Sequence, residues 1–389
     1  MKTERTYFRG TVITDNKLWP DTLVEVTGDT ITCVEKYDGS LPKGEVINVP
    51  NGYICPGYID SHIHGIDGFD FMDNSIESFL KIQHSLPIYG VTSFLATSRT
   101  ETIPNIKRFL LNSSHSAIKT NSGAQLAGIH LEGPWINEQF KGAQKLEHIL
   151  TPTLQGIREL FEIAPNLLKI VTLAPELPNS LEVIEFLEKH GIRTSAGHTA
   201  ASFEEINKAC ELGLSRVTHC YNAMKSIHHR ILTASFAALY LTDLQCEIIA
   251  DGHHVHPKMI ELLYKMKGPD HITLISDCTA ANHIKDGSYE KIGGKVIFKQ
   301  NVKVTLPDGT LAGSALTLDI AVAFAVTKCN IPIENAVQMA TYNPAKAIGV
   351  EGRKGRLKKG YDADIIVLSS TFEVKYTMIA GKRVVTHLP

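Results

Sequence analysis

Side chains that can bind a metal or move a proton recur at the ends of apolar runs in this chain of 389 residues. In the stretch "IHLEGPW", residues 129–135, apolar and polar positions alternate at strand spacing until Glu132, and Gly133-Pro134 then ends the run. Later runs have the same design and end at His198, His219, His254 and Asp277. Because these side chains all stand at the end of an apolar run, their repeated position indicates that they act together.

The residue types are those that hold a catalytic divalent cation. Imidazole nitrogen and carboxylate oxygen suit Zn²⁺ and, with less discrimination, Fe²⁺, Co²⁺ or Mn²⁺. Glu132, His198 and His219 form the best three-ligand set. Three protein ligands leave a position open for water, whose pKa a bound cation lowers to about 7. Asp277 would then serve as base and acid. The alternatives are a helix N-cap for Asp277 and a residue next to a helix cap for His198.

A second histidine pair precedes these residues. His62 and His64 lie two positions apart in "DSHIHG", so both imidazoles project to the same side of a strand. Polar side chains that face a packed interior are costly unless something satisfies them, and a metal ion does so. The alternative is a pair of exposed loop histidines.

Eight buried segments would position this chemistry: "GYIDSHIH", "GVTSFLAT", "QLAGIHLE", "LKIVTLAP", "IRTSAGH", "RVTHCY", "CEIIAD" and "HITLISD". Most precede a helical pattern, such as 180–191 and 202–213, which each begin with Ser and end with Gly. Strands that alternate with helices imply a parallel sheet. Eight such units predict an α/β fold, a (β/α)₈ TIM-like barrel whose active site lies at the carboxyl ends of its strands.

Both ends of the chain have a different pattern. Residues 7–50 and 360–386 contain short alternating runs without helices between them, so they predict one small β-domain. The predicted domains are 1–54 (β-domain, first part), 55–352 (barrel) and 353–389 (β-domain, second part). The β-like segment 289–314, which contains a Pro-Asp-Gly turn, reads as an inserted hairpin or loop beside the site.

Composition excludes several classes of partner. The net charge is −2 and the charged residues are spread evenly, so there is no footprint for nucleic acid or an anionic membrane. The N-terminus lacks an apolar signal core and no run approaches the roughly 18 apolar residues of a membrane helix, which predicts a cytoplasmic protein with a small-molecule partner. Seven cysteines without a CxxC pair read as reduced core thiols and argue against zinc-finger chemistry. Cys220 and Cys278 follow His219 and Asp277, but strand neighbours point to opposite faces.

Several motifs carry a family resemblance. The segments "PGYIDSHIHG", "GIHLEGPWIN", "SAGHT", "THCYNAM", "IADGHHVHP", "ISDCTAA", "LAGS" and "TYNPAKAIG" occur in order over nearly the whole chain. Together they resemble the N-acetylglucosamine-6-phosphate deacetylase family of the amidohydrolase superfamily. The resemblance implies a distorted barrel with a β-sandwich built from both termini. It also implies hydrolysis of N-acetylglucosamine 6-phosphate to glucosamine 6-phosphate and acetate, in amino-sugar catabolism and cell-wall recycling.

The same resemblance implies residue roles. It makes Asp277 the catalytic acid and base, and His254 a residue that contacts substrate and polarises the carbonyl. It implies one or two divalent ions per subunit, Zn or Fe, with Glu132, His198 and His219 as ligands of the first and His62 and His64 as ligands of the second. The implied substrate contacts are Gly133, Gln144, Asn222, Ala223 and Arg230, the last from the neighbouring subunit of a homodimer.

The phosphate end can also be read from the residues. Residues 222–224 lie where the sixth strand turns toward a helix, so the backbone N–H groups of Asn222 and Ala223 can point at an anion. Arg230 adds a bidentate guanidinium. The alternative is that "HHR", residues 228–230, is a solvated loop.

Two positions depart from the family pattern. Gln144, in "KGAQ", stands where the family often has His, and a neutral amide gives up a possible positive charge there. The usual HHREPG reads "HHRILT", which keeps Arg230 but loses the Glu-Pro-Gly that follows it.

Other functions are open at this point. One is an amidohydrolase that acts on a related N-acetyl amino-sugar phosphate or on a cyclic amide, as dihydroorotase does. Cyclic-amide hydrolases generally use a strand lysine as a carbamylated metal bridge, whereas the comparable position here is Glu132. Another is a catalytically silent barrel that serves as a scaffold or sugar-phosphate sensor. Such a protein should have lost Asp277 or a metal ligand, and this sequence keeps them all.

Overall fold

The computed structural model describes residues 5–40, 43–119, 123–291 and 295–387. In chain order its strands are β1 (Arg5–Thr14), β2 (Lys17–Thr27), β3 (Thr30–Lys36), β4 (Glu45–Pro56), β5 (Tyr58–Ile63), β6 (Gly65–Ile66), β7 (Phe69–Asp70), β8 (Val91–Thr97), β9 (Gln125–Glu132), β10 (Leu168–Leu173), β11 (Arg193–Ala196), β12 (Leu214–Val217), β13 (Gln245–Ile249), β14 (Ile272–Ile275), β15 (Gly287–Lys291), β16 (Lys295–Gln300), β17 (Lys303–Thr305), β18 (Leu311–Ser314), β19 (Ile365–Ser369), β20 (Val374–Ile379) and β21 (Lys382–Thr386). Its α-helices are α1 (Ile76–Ser85), α2 (Ile103–Ser113), α3 (Ser116–Lys119), α4 (Leu154–Ile163), α5 (Ser180–Lys189), α6 (Phe203–Glu211), α7 (Ala234–Tyr240), α8 (Pro257–Lys267), α9 (Leu318–Cys329), α10 (Ile333–Ala340) and α11 (Tyr342–Ala347).

Eight strands form the predicted parallel barrel. They are hydrogen-bonded in the order β5-β8-β9-β10-β11-β12-β13-β14, so they follow one another along the chain, and all eight segments identified from the sequence are confirmed. Every residue of β5 and β8 is buried, as expected for parallel strands that are covered on both faces. The fold is a TIM-like (β/α)₈ barrel.

The barrel closes between its first and last strands through a few polar contacts. Asp277 N donates to His62 O over 2.9 Å. The Asp60 carboxylate accepts from Ser276 Oγ at 2.5 Å and from Ser276 N at 3.4 Å. This seam brings the carboxyl ends of β5 and β14 together, so His62 and Asp277 become neighbours.

The helix start signals were right at one helix and wrong at the other. Ser202 caps α6 in a capping box with Glu205, as its sequence predicts. At α5 the cap position is Asn179, in a left-handed conformation (φ 66°), and Ser180 is already the first helical residue. The Ser180 hydroxyl donates to Ala174 O over 2.7 Å instead, because the chain arrives from β10 in a tight turn that places this carbonyl beside it.

The two chain ends form one small β-domain, as predicted. Its strands follow the order β21-β20-β19-β4-β1-β2-β3, in which β1 and β4 are parallel and the other neighbours antiparallel. They share a hydrophobic core separate from that of the barrel, which includes Phe8, Val24, Ile31, Ile54, Ile365, Val367, Tyr376 and Met378. The boundaries after residues 54 and 352 stay predictions, and residues 1–4 and 388–389 lie outside the described ranges.

The inserted segment after the eighth barrel strand is a four-stranded antiparallel sheet, β15 to β18. The predicted Pro-Asp-Gly turn joins β17 and β18: Leu306 N donates to Thr310 O over 2.8 Å, and Gly309 has a positive φ of 85°. Tyr289, Ile297 and Leu311 of this sheet line the cavity at the barrel mouth. The sheet therefore lies beside the site, as expected, although residues 292–294 lie outside the described part of the chain.

Two further predictions concern the cysteines and the presence of a membrane helix. All seven cysteines are free thiols, five of them buried. Within the described ranges, no helix combines the length and the apolar composition needed to cross a membrane.

Candidate active site

A cavity of about 860 Å³ opens at the carboxyl ends of the barrel strands. The predicted site residues that line it are His64, Glu132, Gln144, His198, His219, Asn222, Ala223, His254 and Asp277. They come from different strand ends and loops, so only the closed barrel brings them together. Parallel strands place their carboxyl ends at one rim of the barrel. Polar residues that each follow the end of a strand in the sequence therefore lie together in one site.

Glu132, His198 and His219 form the first candidate metal-binding group. Glu132 Oε1 lies 3.2 Å from His219 Nε2 and 3.4 Å from His198 Nε2, and the two Nε2 atoms are 3.1 Å apart. All three residues are buried, and their ligand atoms lie within 4.8 Å of one another. Two imidazole nitrogens and a carboxylate oxygen that converge on one point fit a divalent cation such as Zn²⁺.

His62 and His64 form a second group around the same carboxylate. His64 Nε2 lies 3.1 Å from Asp277 Oδ1 and 3.5 Å from Glu132 Oε2. His62 Nε2 is held between Glu132 Oε1 at 3.4 Å and Asp277 Oδ1 at 3.6 Å, without a well-formed hydrogen bond to either. Both histidines are buried, so they are not an exposed loop pair. This group too has the donor atoms for a divalent cation, and Glu132 belongs to both groups.

The charges of these residues are coupled. Burial alone would raise the pKa of Glu132, but His62, His198 and His219 outweigh it and hold that pKa well below its usual range. Burial would also raise the pKa of Asp277, but the hydrogen bond from His64 and the charges of His62 and His64 lower it. Burial would lower the pKa of His62, but the carboxylates of Glu132, Glu247 and Asp277 outweigh burial and raise this pKa well above its ordinary value. The surrounding imidazoles thus favour the ionised form of both buried carboxylates.

Several of these side chains are presented by unusual backbone. His198 (φ 49°), His219 (φ 29°) and Asp277 (φ 49°) have positive φ two residues beyond the ends of β11, β12 and β14, and Ala223 (φ 51°) has positive φ in the loop that follows β12. Left-handed conformations are rare for residues other than Gly, Asn and Asp, and they cluster at functional sites. Asp277 is followed by turns rather than by a helix, so the alternative interpretation as an N-cap is wrong.

His254 is oriented by an aspartate. Its Nδ1 lies 2.7 Å from Asp251 Oδ2, and the other oxygen of Asp251 accepts the backbone N–H groups of His253 and His254, each at 2.8 Å. Burial would raise the pKa of Asp251, but these hydrogen bonds outweigh it and lower that pKa. Since Nδ1 is engaged and the residue lines the cavity, Nε2 is the nitrogen available to a substrate.

Gln144 contacts Glu132 directly. The backbone N–H of Thr100 donates to Gln144 Oε1 over 3.0 Å, which fixes the orientation of the amide. Gln144 Nε2 therefore faces Glu132 and donates to its Oε2 over 2.8 Å. Gln144 therefore holds the carboxylate that belongs to both candidate metal-binding groups.

The predicted phosphate contacts are only partly assembled in one chain. Asn222 and Ala223 line the cavity, but the backbone N–H of Asn222 donates to His219 O over 2.9 Å and does not point at an anion. The tight turn after the sixth strand requires that hydrogen bond. Arg230 is exposed, 2.8 Å from His229 Nε2 through its Nη1, and does not line the cavity of its own chain.

Gly133 has a backbone role at the end of β9. Its φ is 73°, and a Cβ atom there would come within 2.2 Å of Thr100 Oγ1. Its N–H donates to Thr172 O over 3.1 Å. Gly133 lies outside the cavity lining, so it shapes the turn that follows Glu132 rather than contacting the cavity.

The sequence interpretation missed a buried layer of polar residues beneath the site. Glu247, Arg216 and His130 are each at most 1% exposed. Glu247 contacts both His62 Nδ1 and Arg216. Burial and the charge of His62 lower the pKa of His130 to about 3, so this imidazole is neutral. The available signal was a charged residue inside each of two neighbouring apolar strands, "LSRV" and "QCEII".

A barrel that gathers two histidine and carboxylate groups around an ionised aspartate at its mouth has the architecture of a metal-dependent amide hydrolase. The chain belongs to the amidohydrolase family, whose pattern matches residues 53–384.

The relatives that this chain resembles include two sugar-phosphate deacetylases. The N-acetylglucosamine-6-phosphate deacetylase of Vibrio furnissii is 35% identical over 384 residues, which cover 97% of this chain and 94% of the relative. The N-acetylgalactosamine-6-phosphate deacetylase of Escherichia coli O157:H7 is 34% identical over 331 residues, which cover 85% of this chain and 87% of that protein.

Solved structures have the same fold. One is a mutant N-acetyl-D-glucosamine-6-phosphate deacetylase from Mycobacterium smegmatis in complex with N-acetyl-D-glucosamine-6-phosphate. It matches with a TM-score of 0.91 at 26% identity, and the match covers 99% of this chain and 100% of that chain.

Proposed function

We propose that this protein hydrolyses the acetamide of N-acetylglucosamine 6-phosphate to glucosamine 6-phosphate and acetate, as a cytoplasmic enzyme of amino-sugar catabolism and cell-wall recycling. One observation carries the proposal: Asp277 lies at the mouth of the barrel beside the Glu132, His198 and His219 group, in a cavity of about 860 Å³. Relatives at 35% identity that carry this activity in their names support it.

The residues divide the chemistry between them. Glu132, His198 and His219 would hold the first divalent cation, and His62 and His64 a second that shares Glu132; Zn²⁺ or Fe²⁺ suits both groups. Such an ion supplies Lewis-acid polarisation and a water of lowered pKa. Asp277 takes the proton of the attacking water and returns it to the leaving amine. His254, whose Nδ1 faces Asp251, would donate an Nε2–H hydrogen bond to the oxygen on which negative charge develops.

The phosphate would be bound between two subunits. Asn222 and Ala223 lie at the cavity wall, whereas Arg230 lies on an exposed loop with Ile227 and Ile231, which are 41% and 60% exposed. Exposed apolar side chains beside a cation that does not line the cavity of its own chain favour a homodimer in which Arg230 enters the partner's site. A guanidinium is well matched to a phosphate dianion.

A second substrate is supported by a specific finding. The Escherichia coli relative named for N-acetylgalactosamine 6-phosphate is 34% identical, close to the 35% of the Vibrio furnissii relative. The two sugars differ at one hydroxyl, so the residues that hold metal and phosphate do not distinguish them.

The experiment is an assay of free amine released from the 6-phosphates of N-acetylglucosamine, N-acetylgalactosamine and N-acetylmannosamine, with metal analysis of protein purified without added metal. We expect kcat/KM to be highest for N-acetylglucosamine 6-phosphate and activity to disappear on chelation. A higher kcat/KM for N-acetylgalactosamine 6-phosphate would make that compound the preferred substrate and contradict the one proposed. Absence of amine release from all three, with metal bound, would contradict a deacetylase.

A further inference from the structure

Inside the barrel, a buried ion pair between Glu247 and Arg216 lies against His62. Glu247 Oε2 lies 3.0 Å from His62 Nδ1, and Glu247 Oε1 lies 3.1 Å from Arg216 Nη2. The side chains of His62 and Glu247 are 0% exposed and that of Arg216 is 1% exposed. Buried charges are costly unless they are paired, so this paired arrangement is a specific feature of the fold.

The same layer contains a candidate metal group that its surroundings exclude. His62, His130 and Glu247 lie close enough together to share an ion. However, His130 Nδ1 faces Ser61 O at 3.2 Å and its Nε2 faces Thr172 Oγ1 at 2.7 Å, so both nitrogens are engaged. The guanidinium of Arg216 on Glu247 also repels a cation there. Glu247 is therefore an acceptor for His62 rather than a metal ligand.

We propose that Glu247, held in place by Arg216, is a positioning residue that determines which nitrogen of His62 can bind metal. A hydrogen on Nδ1 donates to Glu247, and Nε2 is then directed between Glu132 and Asp277. Metal-binding histidines generally donate their other N–H to such a carboxylate, and loss of that partner costs about 10- to 100-fold in metal affinity. This inference rests on the proposed second ion at His62, His64 and Glu132.

The substitution Glu247→Gln tests this role with little change in shape. It replaces one acceptor oxygen with an NH₂ group, so two donors, Arg216 Nη2 and His62 Nδ1–H, compete for one carbonyl oxygen. The guanidinium takes that oxygen because a charge-assisted hydrogen bond is the stronger of the two. The NH₂ group then faces His62 Nδ1, the hydrogen moves to Nε2, and Nε2 no longer offers a lone pair to a metal.

The experiment is equilibrium dialysis of metal-free protein against Co²⁺, with visible absorption recorded as each equivalent binds. We expect wild type to bind two ions, and Glu247→Gln to bind the second about 10- to 100-fold more weakly with the first unchanged. The control is Thr273→Val: Thr273 is the register partner of Glu247 on β14, and its buried hydroxyl makes no hydrogen bond to any described residue. We expect this variant to bind both ions as wild type does.

The outcomes separate this inference from the proposed function. If wild type binds two ions and Glu247→Gln binds both with unchanged affinity, only the role of Glu247 is overturned. If wild type binds one ion at saturation, the two-ion centre fails and this inference fails with it, whereas amine release still tests the deacetylase activity.

A second variant covers the case in which Glu247→Gln does not fold. The double substitution Arg216→Met, Glu247→Met removes the buried ion pair as a unit, an exchange for apolar side chains that is often neutral or stabilising. It also leaves His62 Nδ1 without its acceptor. We expect the same selective loss of the second ion, and retention of both ions in this variant would overturn the inference.

Discussion

Gln144 Nε2 donates to Glu132 Oε2 over 2.8 Å, so a neutral amide holds one oxygen of the carboxylate that both candidate metal-binding groups share. Gln144→Met keeps the length of the side chain and removes this hydrogen bond. Because a hydrogen bond to a charged group contributes about 1.5–3 kcal/mol, we expect kcat/KM to fall roughly ten- to a hundredfold. Gln139→Met is the matched control, since Gln139 lines the same cavity without facing Glu132. Equal effects of the two substitutions would show that Gln144 does not orient Glu132.

Asp277 is expected to move protons without binding the metal. Asp277→Asn should lower kcat by at least about a hundredfold, the usual scale for a general acid and base, while metal content stays nearly unchanged. Steady-state kinetics and metal analysis on one preparation measure both quantities. Loss of metal together with activity would instead make Asp277 a ligand.

The second metal group can be removed without the first. His62→Asn combined with His64→Asn should remove about one metal equivalent and leave the Glu132, His198 and His219 group occupied, because that group keeps all three of its own ligand atoms. Metal analysis after dialysis measures the change. A wild-type protein that never binds more than one equivalent in excess metal would contradict this prediction.

Arg230 is expected to recognise phosphate. Arg230→Ala should raise KM strongly for the 6-phosphate and change little for unphosphorylated N-acetylglucosamine, with kcat/KM for the phosphate lower by roughly ten- to a hundredfold. Arg108→Ala is the control, because Arg108 is an exposed arginine on α2 that does not line the cavity.

The origin of that arginine needs a separate measurement. When Arg230→Ala and Asp277→Asn subunits are mixed, each heterodimer should contain one intact site if Arg230 crosses the interface, since the other site receives both defects. Activity no higher than the sum of the two mutants, with subunit exchange confirmed, would place Arg230 within its own chain or away from phosphate.

The barrel and most of its mouth could be predicted because the signals are local. Each barrel strand is a short buried run bounded by turn residues, and Glu132, His198 and Asp277 stand at the ends of such runs. The contact between Glu247 and His62 joins residues 185 positions apart, and it depends on which strands become neighbours. The hydrogen bond from the backbone N–H of Asn222 to His219 O depends on how tightly the chain turns after the sixth strand, which residue types alone do not specify.

The seam between β5 and β14 has a consequence for the order of folding. Asp60 and Ser276, which bridge it, are 216 positions apart, and the histidines of the first barrel strand meet Asp277 only when the seam closes. Contacts between such distant residues form late, because the intervening chain must first be ordered. During synthesis the nascent chain therefore carries its first histidine pair long before it carries Asp277. All five candidate metal ligands precede β14, so a chain truncated before this strand keeps them but lacks Asp277, and catalytic activity rather than metal content becomes the mark of a completed barrel.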